Sequence, residues 1–218
     1  MNYPINEMFQ TIQGEGYYTG TPAIFIRLQG CPIHCKWCDT KYTWKCLSEN
    51  KISYEELIKK TTSNQKWSYI NITKILKNIQ IKEWTAKHVV ITGGEPCIYN
   101  LLDLTEKLEE KGFKCQIETS GTKKIKCSEN TWVTVSPKKD QKTLHTSILR
   151  SNEIKYPILK EEDLLYLEKI LLIVQNKKYR VFLQPISQNQ QALEICIKYC
   201  TIKNWRLSIQ LHKYLLIR

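Results

Sequence analysis

Short apolar runs alternate with amphipathic stretches along most of this chain, and that alternation admits few folds. Residues 23–28, 88–91, 114–118, 132–135, 153–155, 180–184 and 206–210 are short apolar or alternating runs bounded by turn formers, as strands are. Between them, 53–60, 98–111, 160–174 and 188–200 read as helices. Leu101, Leu102, Leu104, Leu108 and Phe113 roughly follow helical spacing, and Gly112 stops that helix. Strands that alternate with helices of ten or more residues imply β-α-β units and a mostly parallel sheet, an α/β fold. Such sheets carry their chemistry at the carboxyl ends of the strands. No repeat, low-complexity stretch or linker divides the chain, so residues 1–218 are expected to form one domain. An insertion around 42–86, with Trp44, Trp67 and Trp84 inside it and Trp37 just before, is expected to decorate one end of the sheet.

Composition narrows the class. Hydrophobic residues at 42% and aromatics at 10% suit a globular chain with a substantial core. No apolar run approaches the ~18 residues of a membrane span. Met1-Asn2-Tyr3-Pro4 lacks the basic-then-apolar pattern of a signal peptide, so a cytoplasmic location is expected. The net charge of +12 invites a nucleic-acid reading, but the lysines are spread in short pairs without a recognition motif. A solvated lysine-rich surface, with no direct nucleic-acid or membrane partner, is the expectation.

The nine cysteines are unevenly placed. Cys46, Cys97, Cys115, Cys127, Cys196 and Cys200 are dispersed and read as small buried hydrophobes. Cys31, Cys35 and Cys38 form C-x3-C-x2-C directly after a strand. Thiolates suit iron–sulfur clusters or zinc. Three of them can occupy three irons of a cubane and leave the fourth open to a small molecule. A structural zinc would need a fourth ligand, for which His34 or Cys46 is available.

Other strand ends carry polar groups. Val89-Val90-Ile91-Thr92 runs into Gly93-Gly94-Glu95-Pro96, where paired glycines permit close approach of a ligand to the backbone. Ser136-Pro137-Lys138 and Gln184-Pro185-Ile186-Ser187 each follow a strand. Taken singly, each of these is an ordinary turn.

Together they resemble something more specific. C-x3-C-x2-C with the glycine motif behind it resembles the signature of the radical S-adenosylmethionine superfamily, which implies a partial, incomplete β/α barrel. Residues 6–16 (Asn-Glu-Met-Phe-Gln-Thr-Ile-Gln-Gly-Glu-Gly), 20–30, Cys38-Asp39-Thr40, 91–96, Ile117-Glu118-Thr119-Ser120-Gly121, 133–138, 183–187 and Leu211-His212-Lys213-Tyr214 resemble the 7-carboxy-7-deazaguanine synthase family, in its enterobacterial-like form.

That resemblance implies a reaction and a set of residues. The reaction is radical ring contraction of 6-carboxy-5,6,7,8-tetrahydropterin to 7-carboxy-7-deazaguanine with loss of ammonia, a carbon–nitrogen lyase step towards queuosine in tRNA. Cys31, Cys35 and Cys38 would hold a [4Fe–4S] cluster whose open iron takes S-adenosyl-L-methionine. Trp37, Cys38, Asp39, Gly94, Ser136, Pro137, Lys138 and Gln184 would hold that cofactor. Ile12, Gln13, Gly14, Arg27, Thr92 and Glu118 would hold the pterin, and Thr40 would bind Mg2+. A flavodoxin or similar electron donor and a homodimer are implied too.

The residues themselves leave alternatives. Arg27 lies amid an apolar strand, where a guanidinium needs a carboxylate, either the substrate's or an internal one. Thr40 suits a hard cation or a helix N-cap. Gly14 and Gly16 suit a pterin-reading loop or a plain turn. Glu118 could meet the guanidine-like edge of a pterin, whereas His212 reads as structural. Lys139 to Ser147 is short and glycine-free where the resemblance implies a more glycine-bearing loop at the edge of the cofactor pocket; the terminal carboxylate at Arg218 is given no role. A radical-generating activase and a zinc-stabilised RNA-binding module are the rival readings; neither accounts for the strand-end motifs as well.

Overall fold

The computed structural model describes residues 1–174, 179–186 and 189–217. Its strands are β1 (Asn2–Ile12), β2 (Pro22–Leu28), β3 (Ser68–Asn71), β4 (His88–Gly93), β5 (Lys114–Thr119), β6 (Trp132–Val135), β7 (Glu153–Ile158), β8 (Arg180–Pro185) and β9 (Arg206–Leu207). They form one sheet in the order β3-β1-β2-β4-β5-β6-β7-β8-β9. From β2 onwards every neighbouring pair is parallel, whereas β1 runs antiparallel to both β2 and β3. The sheet stays open, with β3 and β9 as its edges, so the fold is the expected partial barrel. The described helices are α1 (Tyr54–Ile58), α2 (Ile72–Ile81), α3 (Leu102–Glu110), α4 (His145–Arg150), α5 (Asp163–Leu172), α6 (Gln190–Lys203) and α7 (Leu211–Leu215).

Strand alternation sorts residues between two environments. Cys115 and Ile117 of β5 join the core under α2 and α3, and Val133, Val135, Ile154 and Tyr156 join the core under α4, α5 and α6. Their alternates Gln116, Glu118, Thr134, Glu153 and Lys155 bond one another on the opposite face. The apolar layer therefore lies outside the sheet, under the helices, and the concave face is polar.

The strand and helix expectations hold in place but not in extent. Instead of 206–210, β9 spans two residues, and Ser208 and Gln210 turn towards the site. In place of a helix from residue 98, a 3-10 turn Pro96–Ile98 precedes α3. Five elements escaped the sequence reading: β1, β3, α2, α4 and α7. In β1, Pro4, Asn6 and Glu7 break the apolar alternation. The structure satisfies them individually: the Pro4 carbonyl accepts from Gln29 N–H at 2.8 Å, and Asn6 Nδ2 donates to Gln29 Oε1 at 2.7 Å. The insertion does more than decorate one end, because it contributes the edge strand β3 and the crossover helix α2. The stretch from Lys139 leads into α4, with Leu144 N–H on the Gly121 carbonyl at 2.9 Å. Ser187, Gln188 and Arg218 lie outside the described residues, and with them the end of the Gln184–Ser187 motif and the terminal carboxylate.

Candidate active site

The carboxyl ends of the parallel strands surround two adjoining cavities. The outer one, of about 990 Å3, is lined by Cys31, Cys35, Cys38, Trp37, Gly94, Ser136, Lys138 and Gln184. The inner one, of about 670 Å3, is lined by Ile12, Gln13, Gly14, Arg27 and Thr40. Glu15, Asp39, Thr92 and Glu118 line both and so form the boundary between them. The residues assigned to the cofactor thus gather in one cavity and those assigned to the substrate in the other. Of the assigned residues, only Pro137 lines neither; it is buried between Ser136 and Lys138.

The cysteine loop leaves β2 and packs on the end of β4. Gly94 N–H donates to the Leu28 carbonyl at 3.0 Å, and Glu95 N–H to the Gly30 carbonyl at 2.8 Å. A Cβ on Gly94 would stand 2.1 Å from the Gly30 oxygen, so only glycine lets the two loops meet. Behind them, buried Glu95 accepts from Ser120 N–H at 2.9 Å and from the hydroxyls of Thr119 and Ser120, which ties the end of β4 to the end of β5. The chain runs back along the cysteine loop, with Gly30 N–H on the Thr43 carbonyl at 2.7 Å and Cys31 N–H on that of Trp44 at 2.9 Å.

All three thiols are half-buried and free. Burial pushes those of Cys31 and Cys35 up, opposed by the Ile33 and His34 backbone amides at Cys31 and by the Lys138 ammonium at Cys35. Donors and a cation beside thiols are what thiolate ligands need. Among the described residues no three Cys, His, Asp or Glu side chains are grouped to hold a single metal ion. A cubane asks for a different arrangement, one thiolate for each of three irons, and three cysteines around one cavity fit that demand.

At the boundary stands a buried ion triad. Lys155 Nζ bonds Glu118 Oε2 at 2.9 Å and also Glu15 Oε2, and Lys155 is only 6% exposed. Gln116 and Gln13 donate to Glu118 Oε1 at 3.0 and 3.4 Å, and Gln210 donates to Glu15 Oε1 at 3.0 Å. Burial and the neighbouring Glu15 charge push Glu118 up to about 7, although Lys155 opposes them. Glu15 is held at about 2 against its burial, chiefly by the Lys155 ammonium. Lys155 is raised by the two carboxylates. The triad sets the oxygens of Glu118 and Glu15 at the boundary as acceptors, suited to a ligand that presents N–H donors.

Arg27 resolves differently from either alternative taken alone. Its Nε donates to Glu7 Oε1 at 2.7 Å, the internal salt bridge, yet Arg27 also lines the inner cavity. Its two terminal nitrogens make no hydrogen bond among the described residues. Thr40 precedes a 3-10 turn but makes no side-chain cap; its hydroxyl lies 3.4 Å from the Gly93 carbonyl and 3.5 Å from Cys38 Sγ. Gly14 is no idle turn, since a Cβ there would meet His212 Nδ1 at 2.8 Å. His212 itself, expected to be structural, lines the inner cavity with Nε2 4.0 Å from Asp39 Oδ2.

Comparison with known proteins shows the family. The radical SAM superfamily matches residues 25–145. The chain is 71% identical to the 7-carboxy-7-deazaguanine synthase of Buchnera aphidicola subsp. Schizaphis graminum over all of both chains. This chain belongs to the 7-carboxy-7-deazaguanine synthase family. A relative of the same name from Escherichia coli K12 is 53% identical over 99% of each chain. The crystal structure of QueE from Escherichia coli superposes with a TM-score of 0.91 at 50% identity, covering 97% of this chain and 95% of that one. Within this family member, sequence reasoning missed Lys155, Glu7 and Glu95. The signal for Lys155 was present: Glu118, Glu153 and Lys155 are charged residues inside apolar strands, spaced so that they share one face.

Proposed function

We propose that this chain is the radical S-adenosylmethionine enzyme that contracts 6-carboxy-5,6,7,8-tetrahydropterin to 7-carboxy-7-deazaguanine with loss of ammonia, in queuosine biosynthesis. The observation that carries the reading is the shared wall: a cavity ringed by three thiols opens onto one holding a half-buried arginine. When bound, the cluster and S-adenosylmethionine supply a 5′-deoxyadenosyl radical. Ser136, Lys138 and Gln184 hold the polar parts of the cofactor, and Trp37 and Asp39 lie at its adenine. Glu118, with Gln13 beside it, accepts from the amino-pyrimidinone edge of the pterin. Arg27 takes the pterin carboxylate through its two terminal nitrogens. Ile12, Gly14 and Thr92 close around the ring. Thr40 would offer Mg2+ one hydroxyl, the kind of hard oxygen ligand that this cation takes.

The donor in this reading is a flavodoxin or similar protein. Outside the cysteine loop, Pro32 and His34 border a groove with Lys45, Lys123, Lys124 and Lys126, which suits an acidic carrier. A homodimer in a reduced, cytoplasmic compartment completes the proposal; no described helix is long and apolar enough to cross a membrane.

The deciding experiment incubates anaerobically reconstituted protein with dithionite, S-adenosylmethionine, Mg2+ and the carboxypterin, and reads products by mass spectrometry. 7-Carboxy-7-deazaguanine is the expected product; 5′-deoxyadenosine alone would mean another substrate. Arg27→Ala should weaken pterin binding by about 2–3 kcal/mol, the worth of a charge-assisted pair, and leave cofactor binding near the parent value. Equal loss of both in calorimetry would remove the carboxylate role. Turnover should slow without Mg2+, and an indifferent rate takes Thr40 out of the site.

A further inference from the structure

Arg27 points at a second layer of organisation, because its partner is itself held from outside the barrel. Glu7 is 2% exposed and accepts three hydrogen bonds: from Arg27 Nε at 2.7 Å, from the Tyr42 hydroxyl at 2.9 Å and from Ser63 Oγ at 3.0 Å. Tyr42 and Ser63 both come from the insertion, far from the strand ends in sequence. The insertion is in turn pinned on β1: the three N–H groups of Lys60 Nζ are shared among Asn6 O and Oδ1 on β1 and the carbonyls of Asn64 and Lys66, all within 3.1 Å. The Arg27 guanidinium also lies over the Phe9 ring, 5.8 Å from its centroid.

A guanidinium gripped at Nε and backed by a ring has one remaining hydrogen-bonding edge, the pair of terminal nitrogens, and that edge matches a carboxylate bidentately. We propose that Glu7 is a positioning residue for Arg27, and that Tyr42 and Ser63 of the insertion, by fixing Glu7, make the inner cavity select ligands that carry a carboxylate. The inference rests on the reading that Arg27 receives the pterin carboxylate. Glu7 does not attract the ligand; its charge opposes that of an incoming carboxylate. What it contributes is orientation, and the two effects have opposite signs.

Glu7→Asp separates them, because it keeps the charge and withdraws it from Nε by one methylene. Calorimetry on the reconstituted enzyme with S-adenosylmethionine would compare 6-carboxytetrahydropterin with 6-methyltetrahydropterin, which has no carboxylate. We expect Glu7→Asp to weaken the carboxylated ligand about tenfold and the methyl ligand less than twofold. The double variant Tyr42→Phe/Ser63→Ala, which touches no charge, should reproduce the preference loss at about threefold and keeps the test open should Glu7→Asp fold poorly. Equal weakening of both ligands would make Glu7 merely structural and overturn the proposal, as would unchanged or tightened binding of the carboxylated ligand. An Arg27→Lys enzyme that still discriminates as the parent does overturns the Arg27 reading itself, and the inference with it.

Discussion

Replacing Cys35 by Ala is expected to abolish turnover while the chain stays folded. If Cys31, Cys35 and Cys38 each hold one iron of the proposed cluster, none is redundant, and the loss of any one would leave the cluster short of a ligand. No spare cysteine stands in: Cys46 Sγ lies on the groove side, against Gly30 and the Tyr99 hydroxyl. The fold survives because backbone bonds to Thr43, Trp44 and Gly94 hold the loop, and Cys35 is only half-buried. The thermodynamic cost before reconstitution should be about 1 kcal/mol or less, as for ordinary half-exposed substitutions. The reconstituted variant should lack the cluster's visible absorption and form no 5′-deoxyadenosine with dithionite. Cys31→Ala and Cys38→Ala should behave alike, and retained cleavage in any of them would remove the cluster assignment.

Lys155→Met should have the second-largest effect, on stability and activity together. The substitution leaves Glu15 and Glu118 buried without their shared cation, and breaking such a pair costs about 3–5 kcal/mol. In the parent the two carboxylates respond to pH in opposite directions. Glu15, lowered to about 2 from 4.5, contributes stability that is present above pH 4.5 and lost as pH falls through 2. Glu118, raised to about 7 from 4.5, contributes stability that is present below pH 4.5 and lost as pH rises through 7. Their joint contribution therefore peaks near pH 4.5. Without the ammonium both carboxylates titrate higher, so the acid-side advantage of Glu15 disappears and Glu118 holds its proton further into the neutral range. Urea unfolding from pH 3 to 8 should show the parent losing more stability than the variant between pH 4.5 and 3. Turnover should fall by about 10²-fold, the scale of a lost positioning contact. The acid limb of the kcat/KM profile should move to higher pH. An unmoved profile would mean that the triad only braces the fold.

Much of the fold was legible because periodicity survives in the strands. Strands β2, β4 to β8 and helices α3, α5 and α6 follow from apolar runs whose spacing depends on local sequence alone. The first strand escaped because its polar residues are satisfied by partners 20 and more positions away: Asn6 by Gln29, and Glu7 by Arg27, Tyr42 and Ser63. The insertion escaped for the same reason. Its edge strand β3 is four residues long and becomes a strand only by pairing with β1.

The candidate site divides along the same line. Cys31, Cys35, Cys38 and the Gly-Gly-Glu-Pro turn are local motifs, dictated by the spacing that one loop needs, and could be read without any fold. The distant partners of Glu95, Glu7 and Lys155 lie on other elements, Thr119 and Ser120, Tyr42 and Ser63, and Glu15 and Glu118, so the sequence shows that a buried charge needs a partner but not which one. Arg27 shows the limit most clearly: sequence demanded a carboxylate for a guanidinium in an apolar strand, but offered the internal and the external one equally. The antiparallel register of β1 on β2 pairs Glu7 with Arg27, which supplies the internal carboxylate at Nε and leaves the other two nitrogens for the cavity. Sequence sets what each residue requires; which partner meets the requirement is decided by which strands lie side by side.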